Sequence, residues 1–396
     1  MINKKEITFL IKVMNGGGAE RVISLLTKSM IERGYEVNLI LTHQKKEYAD
    51  LKGIDSNIKT LSLEDEMVSC QEQRWKANLH MFYARCLGKV GKSEDSSIHK
   101  YYARNYKKIS WLKEYFKNHN TSIIVAFLYD SIFLTMLSKT VDNKLIISER
   151  GDPQQSVASK TTMAFLHKMF PKADHIVFQS PDVSKWYMDN MGVKGTVIFN
   201  PIKNELPERY DGTRRKRIVN FCRISKEKNL ELLINAYARL KKEYPIYELY
   251  IYGNVVDDVT KDYLYKINSL IIEKGLCDCI HLLPARKDIH LEIKDYSIYV
   301  SSSNFEGMSN SMLEAMAIGL PCVCTDCPAG GARAVIKDRE NGILVPINDE
   351  EKMYLAMKEV LENPELADKM SRNAVKIREA QSLDNIIEKW MEIIND

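Results

Sequence analysis

The sequence predicts an α/β protein built from two parallel-sheet domains, on three observations. Short apolar runs rich in β-branched residues alternate with amphipathic helical stretches, the pattern of a sheet covered by helices on both faces. The pattern stops at an apolar-poor connector with prolines and a basic cluster, NPIKNELPERYDGTRRKR, and then starts again. A chain of 396 residues also exceeds the size at which one hydrophobic core is usual.

The first half of the chain is predicted to alternate strand and helix. Its first strand is EITFLIKVM, a triple glycine forms the turn, and AERVISLLTKSMIERG forms a helix that Gly34 closes. The strands that follow are VNLILT, a short one before LEDEMV, TSIIVAFLY, KLIISE, ADHIVFQS and TVIFNPI. A first domain over residues 1–198 is therefore expected.

The second half repeats the pattern after the connector. Its predicted strands are RIVNFCR, YELYIYGN, CIHLLP, YSIYVSS and LPCVCTD. Amphipathic helices lie between them, the first from Lys228 to Tyr244. This spacing predicts a second α/β domain over residues 199–378 and a C-terminal segment, 379–396, with a helix around Leu383 to Ile394.

Residues 72–117 differ from both halves. They contain 11 Lys or Arg against 4 Asp or Glu, a local difference of +7. Nine aromatic residues are interleaved with them: Trp75, Phe82, Tyr83, Tyr101, Tyr102, Tyr106, Trp111, Tyr115 and Phe116. Such a mixture is typical of a surface that faces anionic lipid. A solvated helical insertion whose aromatic residues pack on the first domain fits the same composition, so both interpretations stand.

Composition and charge exclude several classes of protein. Hydrophobic residues at 45% and charged residues at 28% are ordinary for a globular protein, and a net charge of +4 does not favour a nucleic-acid partner. No apolar run reaches the roughly 18 residues of a membrane span. The N-terminal apolar run contains Lys12 and leads into a helix, unlike a signal peptide, so a cytoplasmic location is expected.

The eight cysteines are interpreted as free thiols, several of them in the core. Cys322 and Cys324 are separated by one residue, so a strand places both side chains on the same face. Zinc frameworks usually combine a Cys-x2-Cys pair with a second pair or with histidines at a distance, so no metal site is expected. Scattered free thiols also fit a reducing cytoplasm.

The stretch SNFEGMSNSMLEAMAIGLP carries two glutamates eight positions apart. Glu306 follows a predicted strand, and open α/β sheets bind their ligands at the carboxyl ends of strands. A helix is expected to begin near Ser309. Glu314 has a structural interpretation as well, because Ser311 and Glu314 fit a Ser-x-x-Glu capping box.

Small polar residues lie between the two acids and present backbone N–H groups at the predicted helix N-terminus: Gly307, Ser309, Asn310 and Ser311. Such an N-terminus favours an anion, because the helix dipole is positive there. Carboxylates on either side of a phosphate site make sense if the ligand also carries hydroxyl groups. The ligand indicated is therefore a nucleotide attached to a sugar.

Two cations precede a helix in the second domain, in FCRISKEKN. Arg223 offers a fork for phosphate oxygens and Lys228 a compact charge. They could be ordinary surface residues, but the helix dipole disfavours cations at an N-terminus unless an anion lies there. The pair is therefore a candidate phosphate site.

Two loops of the first domain are further candidates. In GGGAER, Gly16, Gly17 and Gly18 would let backbone approach a ligand, although three glycines also make a tight turn. The second strand ends in Thr-His, without the acid expected on an NAD ribose, so a dinucleotide dehydrogenase is not expected. In ISERGDP, Glu149 and Arg150 follow another strand and could serve the acceptor or form a structural ion pair.

Together these motifs resemble the retaining glycosyltransferases of family 4. The resemblance rests on GGGAER, an NP at the domain junction, R-x4-K, and E-x7-E followed by LEAMAIGLPCVCTDCPAGG, and it covers nearly the whole chain. It implies a GT-B fold, in which two Rossmann-like domains face each other across a cleft. The C-terminal helix would cross back onto the first domain, as in the family.

The resemblance also implies a role for each matching position. Glu306 would contact the donor sugar and Glu314 the ribose hydroxyls, while Arg223 and Lys228 would neutralise the diphosphate leaving group without a metal or other cofactor. The remaining donor-binding positions would be Gly17, Gly18, Gly253, Gly307, Ser309, Asn310 and Ser311. Gly16, Glu149 and Arg150 would lie on the acceptor side.

The activity implied is retaining transfer of a sugar, with UDP as the expected nucleotide, to a lipid-linked or oligosaccharide acceptor in bacterial surface-polysaccharide synthesis. Such an enzyme would be peripheral at the inner face of the cell membrane. An epimerase or soluble sugar transferase of the same fold, or a non-catalytic nucleotide-sugar binder, stands as the alternative. Two positions depart from the family: Arg150 replaces a common His, and Cys222 replaces Gly.

Overall fold

The computed structural model describes residues 5–51, 53–67, 74–119, 122–156 and 159–396. The chain divides into two compact units. Unit 1 comprises Met1–Phe199 together with Ile387–Asp396, and unit 2 comprises Asn200–Ile386. The predicted division at 198/199 lies one residue before the one observed.

Unit 1 contains a seven-stranded parallel sheet in the order β3-β2-β1-β4-β5-β6-β7. Its strands are β1 Glu6–Ile11, β2 Glu36–Leu41, β3 Lys59–Ser62, β4 Ile123–Phe127, β5 Lys144–Ser148, β6 His175–Phe178 and β7 Thr196–Val197. The central strands are buried along nearly their whole length, as their continuous apolar runs predict. The order reverses between β1 and β4, which places a switch point at their carboxyl ends.

The helices of unit 1 follow the strands. They are α1 Gly18–Glu32, α2 Leu63–Glu66, α3 Arg74–Lys89, α4 Ser93–Asn118, α5 Leu128–Ser138, α6 Pro153–Ser156, α7 Lys160–Lys168 and α8 Pro181–Met191. The sequence predicts the turn before α1 correctly, because Gly16 has φ +76°, a conformation that favours glycine.

Unit 2 repeats the architecture with a six-stranded parallel sheet in the order β10-β9-β8-β11-β12-β13. Its strands are β8 Arg215–Phe221, β9 Glu248–Tyr252, β10 Ile280–Leu283, β11 Tyr296–Ser301, β12 Cys322–Thr325 and β13 Ile343–Val345. Its helices are α9 Leu230–Glu243, α10 Asp258–Glu273, α11 Ile289–Ile293, α12 Asn310–Ala317, α13 Glu350–Glu362, α14 Pro364–Ala374 and α15 Ile377–Ala380. The order reverses between β8 and β11.

The last helix, α16 Leu383–Asn395, begins in unit 2 and ends in unit 1. Its Trp390 is fully buried and stacks on Phe127, with ring centroids 5.9 Å apart. Arg33 of unit 1 also donates to Glu388 at 3.0 Å. The end of the chain is thus an integral part of unit 1.

The aromatic residues of 72–117 are placed differently on the two helices of this segment. Residues 72 and 73 lie outside the described residues. On α4 the aromatic side chains largely pack inward: Tyr115 and Phe116 are buried, and Tyr101 packs edge-on against Phe165 at 5.2 Å. On α3, by contrast, Trp75 is 64% exposed and Phe82 is 61% exposed. Only α4 therefore matches the packed insertion.

The cysteines of β12 confirm the prediction of a core strand. Cys322 and Cys324 are both buried, and burial raises the pKa of both thiols, so they stay protonated. Within the described part of the chain, no helix has the length and apolar character needed to cross a bilayer.

Candidate functional site

The candidate site of unit 2 lies at the switch point of its sheet, where β8 and β11 run side by side. Two hydrogen bonds tie the loops that follow these strands. The backbone N–H of Asn304 donates to the carbonyl of Glu227 at 2.9 Å, and the hydroxyl of Ser302 donates to the carbonyl of Lys228 at 2.9 Å. They hold together the two loops that carry Lys228 and Glu306, which are 78 positions apart in the sequence.

Lys228 and Glu306 form an ion pair across these two loops. The side chains are only 15% and 22% exposed, respectively. Burial by itself would lower the pKa of Lys228, but the neighbouring Glu306 carboxylate outweighs it, so the pKa is raised and the ammonium stays charged. The structure therefore brings two of the three predicted catalytic residues into direct contact.

Arg223 lies near this pair on the loop after β8. Its side chain is 50% exposed and contacts Glu227 at 3.3 Å. Burial by itself would raise the pKa of Glu227, but local hydrogen bonds, together with the attraction of Arg223 and Lys228, outweigh it and lower the pKa. A solvent-accessible guanidinium of this kind is available to an anionic ligand.

Helix α12 begins where the sequence predicts, but its cap differs. Ser309 is the N-cap, and its hydroxyl accepts from the backbone N–H of Met312 at 3.3 Å. The predicted capping box of Ser311 and Glu314 is therefore wrong, because Ser311 already lies inside the helix. Its hydroxyl instead shares a 3.0 Å hydrogen bond with Tyr299.

Glu314 is buried and has a partner that the sequence analysis missed. Its Oε2 lies 2.9 Å from Nε2 of His290, with the two side chains 5% and 6% exposed. His290 belongs to the short helix α11, and a single histidine in DIHLEI gave no signal of a site. Only the fold brings it next to Glu314.

The other donor-side positions surround the start of α12. Asn200, from the NP junction, donates through Nδ2 to Oδ1 of Asn310 at 2.7 Å and to the carbonyl of Met308 at 3.2 Å. Gly307 runs so close to Gly331 that a Cβ on Gly331 would overlap its carbonyl. A Cβ on Gly253 would meet the carbonyl of Cys222, so Gly253 is explained by backbone packing.

The candidate residues of unit 1 occupy the carboxyl ends of β1 and β5. Gly16 makes the turn, Gly17 is the N-cap of α1, and Gly18 is its first residue. Glu149 and Arg150 follow β5 and are both buried. Within unit 1 the Arg150 guanidinium lies over the ring of Phe127 at 4.8 Å and over that of Trp390 at 5.8 Å.

Burial shifts the pKa values of these two residues. It raises the pKa of Glu149 to about 8, against the opposing effect of the Gly151 N–H, which donates to Oε1 at 2.8 Å. It lowers the pKa of Arg150 to about 9, against the attraction of Glu149. Near neutral pH the desolvated pair therefore holds a cation beside a carboxyl group that is largely protonated.

Both halves of the chain match models of known protein families. The family model described as Glycosyltransferase Family 4 matches residues 16–206, and that described as Glycosyl transferases group 1 matches residues 203–377. A Campylobacter jejuni protein named N-acetylgalactosamine-N,N'-diacetylbacillosaminyl-diphospho-undecaprenol 4-alpha-N-acetylgalactosaminyltransferase is 26% identical, over 96% of each chain.

Two solved structures show the same fold at low identity. TarM superposes with a TM-score of 0.78 at 15% identity, covering 100% of this chain and 99% of its own. Anabaena HepE in complex with UDP gives 0.77 at 16% identity, covering 98% and 99%. Since the two family models together account for residues 16–377, the chain belongs to the glycosyltransferases of family 4 and has their GT-B fold.

Proposed function

We propose that this glycosyltransferase moves a sugar from a UDP-sugar to a lipid-linked glycan, with retention at the anomeric carbon, in bacterial surface-polysaccharide synthesis. The observation that carries the proposal is the Lys228–Glu306 pair beside the N-terminus of α12. A partly buried cation next to a carboxylate suits a ligand with a diphosphate and sugar hydroxyls. The name of the Campylobacter jejuni relative includes a diphospho-undecaprenol-linked sugar, and the HepE structure holds UDP.

The proposed roles follow from charge and position. Arg223 and Lys228 take up the negative charge that develops on the departing diphosphate, assisted by the N-terminus of α12, so that transfer does not require a metal. Glu306 accepts hydrogen bonds from the donor sugar and keeps Lys228 in place. Glu314 accepts from the ribose hydroxyls.

Retention is proposed to follow front-face transfer. The bond between the anomeric carbon and the diphosphate oxygen breaks, and the acceptor oxygen bonds to that carbon from the same side. The acceptor hydroxyl proton passes to the departing diphosphate, so no enzyme nucleophile is needed. On the acceptor side we propose the loop of Gly16 and the Glu149–Arg150 pair.

Transfer assays on purified protein test this proposal. Wild type, Lys228→Met and Glu306→Gln are given a panel of UDP-sugars, an undecaprenyl-diphosphate oligosaccharide, and either Mg²⁺ or EDTA. We expect transfer that EDTA leaves unchanged, and a loss of at least about 100-fold in kcat/KM for each variant. Lys226→Met, which removes an exposed cation from the same turn, is the matched control and should keep wild-type turnover.

Three other results would contradict parts of this proposal. Wild-type turnover in Glu306→Gln would remove the central assignment. Stabilisation by UDP in a thermal-shift assay with no transfer to any acceptor would favour a non-catalytic binder. Product with an inverted anomeric configuration, read by NMR, would rule out retention.

We further propose that the exposed face of α3 rests on the membrane that carries the acceptor. Trp75, Leu79 and Phe82 recur at helical spacing and are 64%, 41% and 61% exposed. Arg85 and Lys89 are exposed on the same helix and would meet anionic lipid headgroups. The aromatic residues of α4, being packed inward, are not part of this face.

Vesicle sedimentation tests the lipid face. Wild type should pellet with phosphatidylglycerol vesicles far more than with phosphatidylcholine vesicles, and salt should weaken this binding. Trp75→Ser with Phe82→Ser should lose it. The control is Tyr48→Ser with Tyr265→Ser, which removes two exposed aromatic rings elsewhere. Unchanged binding by the α3 variant would refute the lipid face.

A further inference from the structure

His290 contacts Glu314 in the interior of unit 2. The imidazole Nε2 and the carboxylate Oε2 are 2.9 Å apart, and 6% and 5% of the two side chains are exposed. A carboxylate so far from water needs hydrogen-bond donors to offset its lost hydration. The Nε2 atom of His290 lies within hydrogen-bond distance of this carboxylate.

The imidazole is held in place by aromatic packing. Phe221, the last residue of β8, meets the His290 ring edge-on, with ring centroids 5.7 Å apart and planes at 89°. Phe221 also packs on Tyr299 at 5.2 Å, whose hydroxyl shares the hydrogen bond with Ser311. His290 is therefore connected both to the strand that leads to Arg223 and to the first turn of α12.

We propose that His290 is a positioning residue for the nucleotide ribose, an inference that rests on the proposed function. It donates from Nε2 to Oε2 of Glu314 and so fixes the plane of the carboxylate. Each carboxylate oxygen accepts about two hydrogen bonds, so a carboxylate bonded to His290 can also accept from a ligand hydroxyl. The carboxylate is thereby oriented before the ribose arrives.

Orienting the carboxylate in advance removes rotational freedom from the Glu314 side chain. The terminal torsion of a glutamate side chain is broad, so an untethered carboxylate samples many planes. Only some of them accept both the 2′- and the 3′-hydroxyl of a ribose at once. Fixing the plane in advance reduces the ordering that binding must otherwise impose.

Two substitutions separate this hydrogen bond from the packing of the ring. His290→Phe keeps an aromatic ring against Phe221 but has no donor. His290→Gln loses the ring but places an N–H₂ near the position of Nε2. Calorimetry measures the Kd of UDP and of 2′,3′-dideoxy-UDP for wild type and both variants, with thermal melting to confirm that each is folded.

The readout is the ratio of the two dissociation constants in each protein. Wild type should bind UDP at least about tenfold more tightly than the dideoxy compound, because hydrogen bonds to a charged group are among the stronger ones. In His290→Phe the ratio should fall towards about one, mainly through weaker UDP binding. His290→Gln should restore most of it, which a purely structural role would not produce.

The results that would contradict this inference can be told apart from those that would contradict the proposed function. A wild-type protein that binds no UDP would overturn the UDP donor and this inference with it. UDP binding that ignores the ribose hydroxyls would overturn the inference alone. So would an equal loss of both ligands in His290→Phe, since that marks general damage to the site. If His290→Phe fails to fold, a His290→Gln variant that does not discriminate between the ligands overturns the inference instead.

Discussion

Lys228 and Glu306 bring opposite charges together where water reaches less than a quarter of either side chain. Each residue is visible in the sequence as a candidate, one in R-x4-K and the other in E-x7-E. Their contact is not, because it depends on β8 and β11 lying side by side at the switch point. The chemical groups can therefore be predicted from the sequence, but their pairing cannot.

A double-mutant cycle at this pair measures its coupling. Lys228→Met and Glu306→Gln should each destabilise the protein, because each leaves a partly buried charge without its partner. The double variant should be less destabilised than the two single losses together, with a coupling energy of about 1–3 kcal/mol. Urea unfolding provides the numbers. Simple additivity would mean that the ion pair contributes nothing to stability.

Glu149 should make stability depend on pH. Burial raises its pKa from 4.5 to about 8, so between these values the folded state holds a proton that the unfolded state has released. Stability should therefore fall as pH rises through this window, at up to roughly 1.4 kcal/mol per pH unit. Glu149→Gln keeps an acceptor for the Gly151 N–H and cannot titrate. Its urea-unfolding profile should be flatter than that of wild type, and parallel profiles would contradict the assignment.

Among the elements, α12 shows how far local sequence patterns reach. Its start is correctly predicted from small polar residues before an apolar run, but its cap is not, because a two-residue difference exchanges Ser309 for Ser311. The partner of Glu314 could not be predicted, since the contact with His290, 24 positions earlier, depends on how α11 packs against α12 and not on a local pattern. Likewise, composition alone could not separate the inward aromatic residues of α4 from the exposed ones of α3.

Helix α16 should stabilise unit 1 chiefly through Trp390. Trp390→Ala removes a fully buried ring that stacks on Phe127 and lies beneath Arg150, and should cost about 3–5 kcal/mol. Trp390→Phe should cost less than about 2 kcal/mol, because Nε1 has no hydrogen-bond partner among the described residues. Chemical denaturation measures both losses. A Trp390→Ala protein as stable as wild type would show that the helix is dispensable.

In the whole molecule, one strand order occurs twice, reversing between β1 and β4 and again between β8 and β11. Alternating apolar runs and helices predict both sheets, since buried parallel strands need continuous hydrophobic sequence. The short edge strand β13 was missed because three residues give no readable period. Hydrophobic periodicity also could not show which residues of the C-terminal helix belong to unit 1, because that depends on long-range packing.

Removing residues 387–396 should weaken unit 1 selectively. All four tryptophans, Trp75, Trp111, Trp186 and Trp390, belong to unit 1, so their fluorescence reports on that unit. In the truncated protein the fluorescence transition should move to lower urea, while far-UV circular dichroism keeps a component that unfolds as in wild type. A Trp186→Phe control should alter the signal but not the midpoint. Coincident, unshifted transitions would contradict the assignment.

The divided layout of unit 1 also bears on how the protein is made. A ribosome adds about 5–20 residues per second, so about 10 to 40 seconds separate the synthesis of residue 199 from that of Trp390. During that interval the nascent sheet of β1 to β7 lacks the Trp390 ring, so Phe127 and Arg150 lack the side chain that packs against them in the folded protein. Unit 2 is continuous in the sequence, so all of its residues are synthesised before the last segment of unit 1. Translation thus orders the maturation of the two halves: the half synthesised first is completed last.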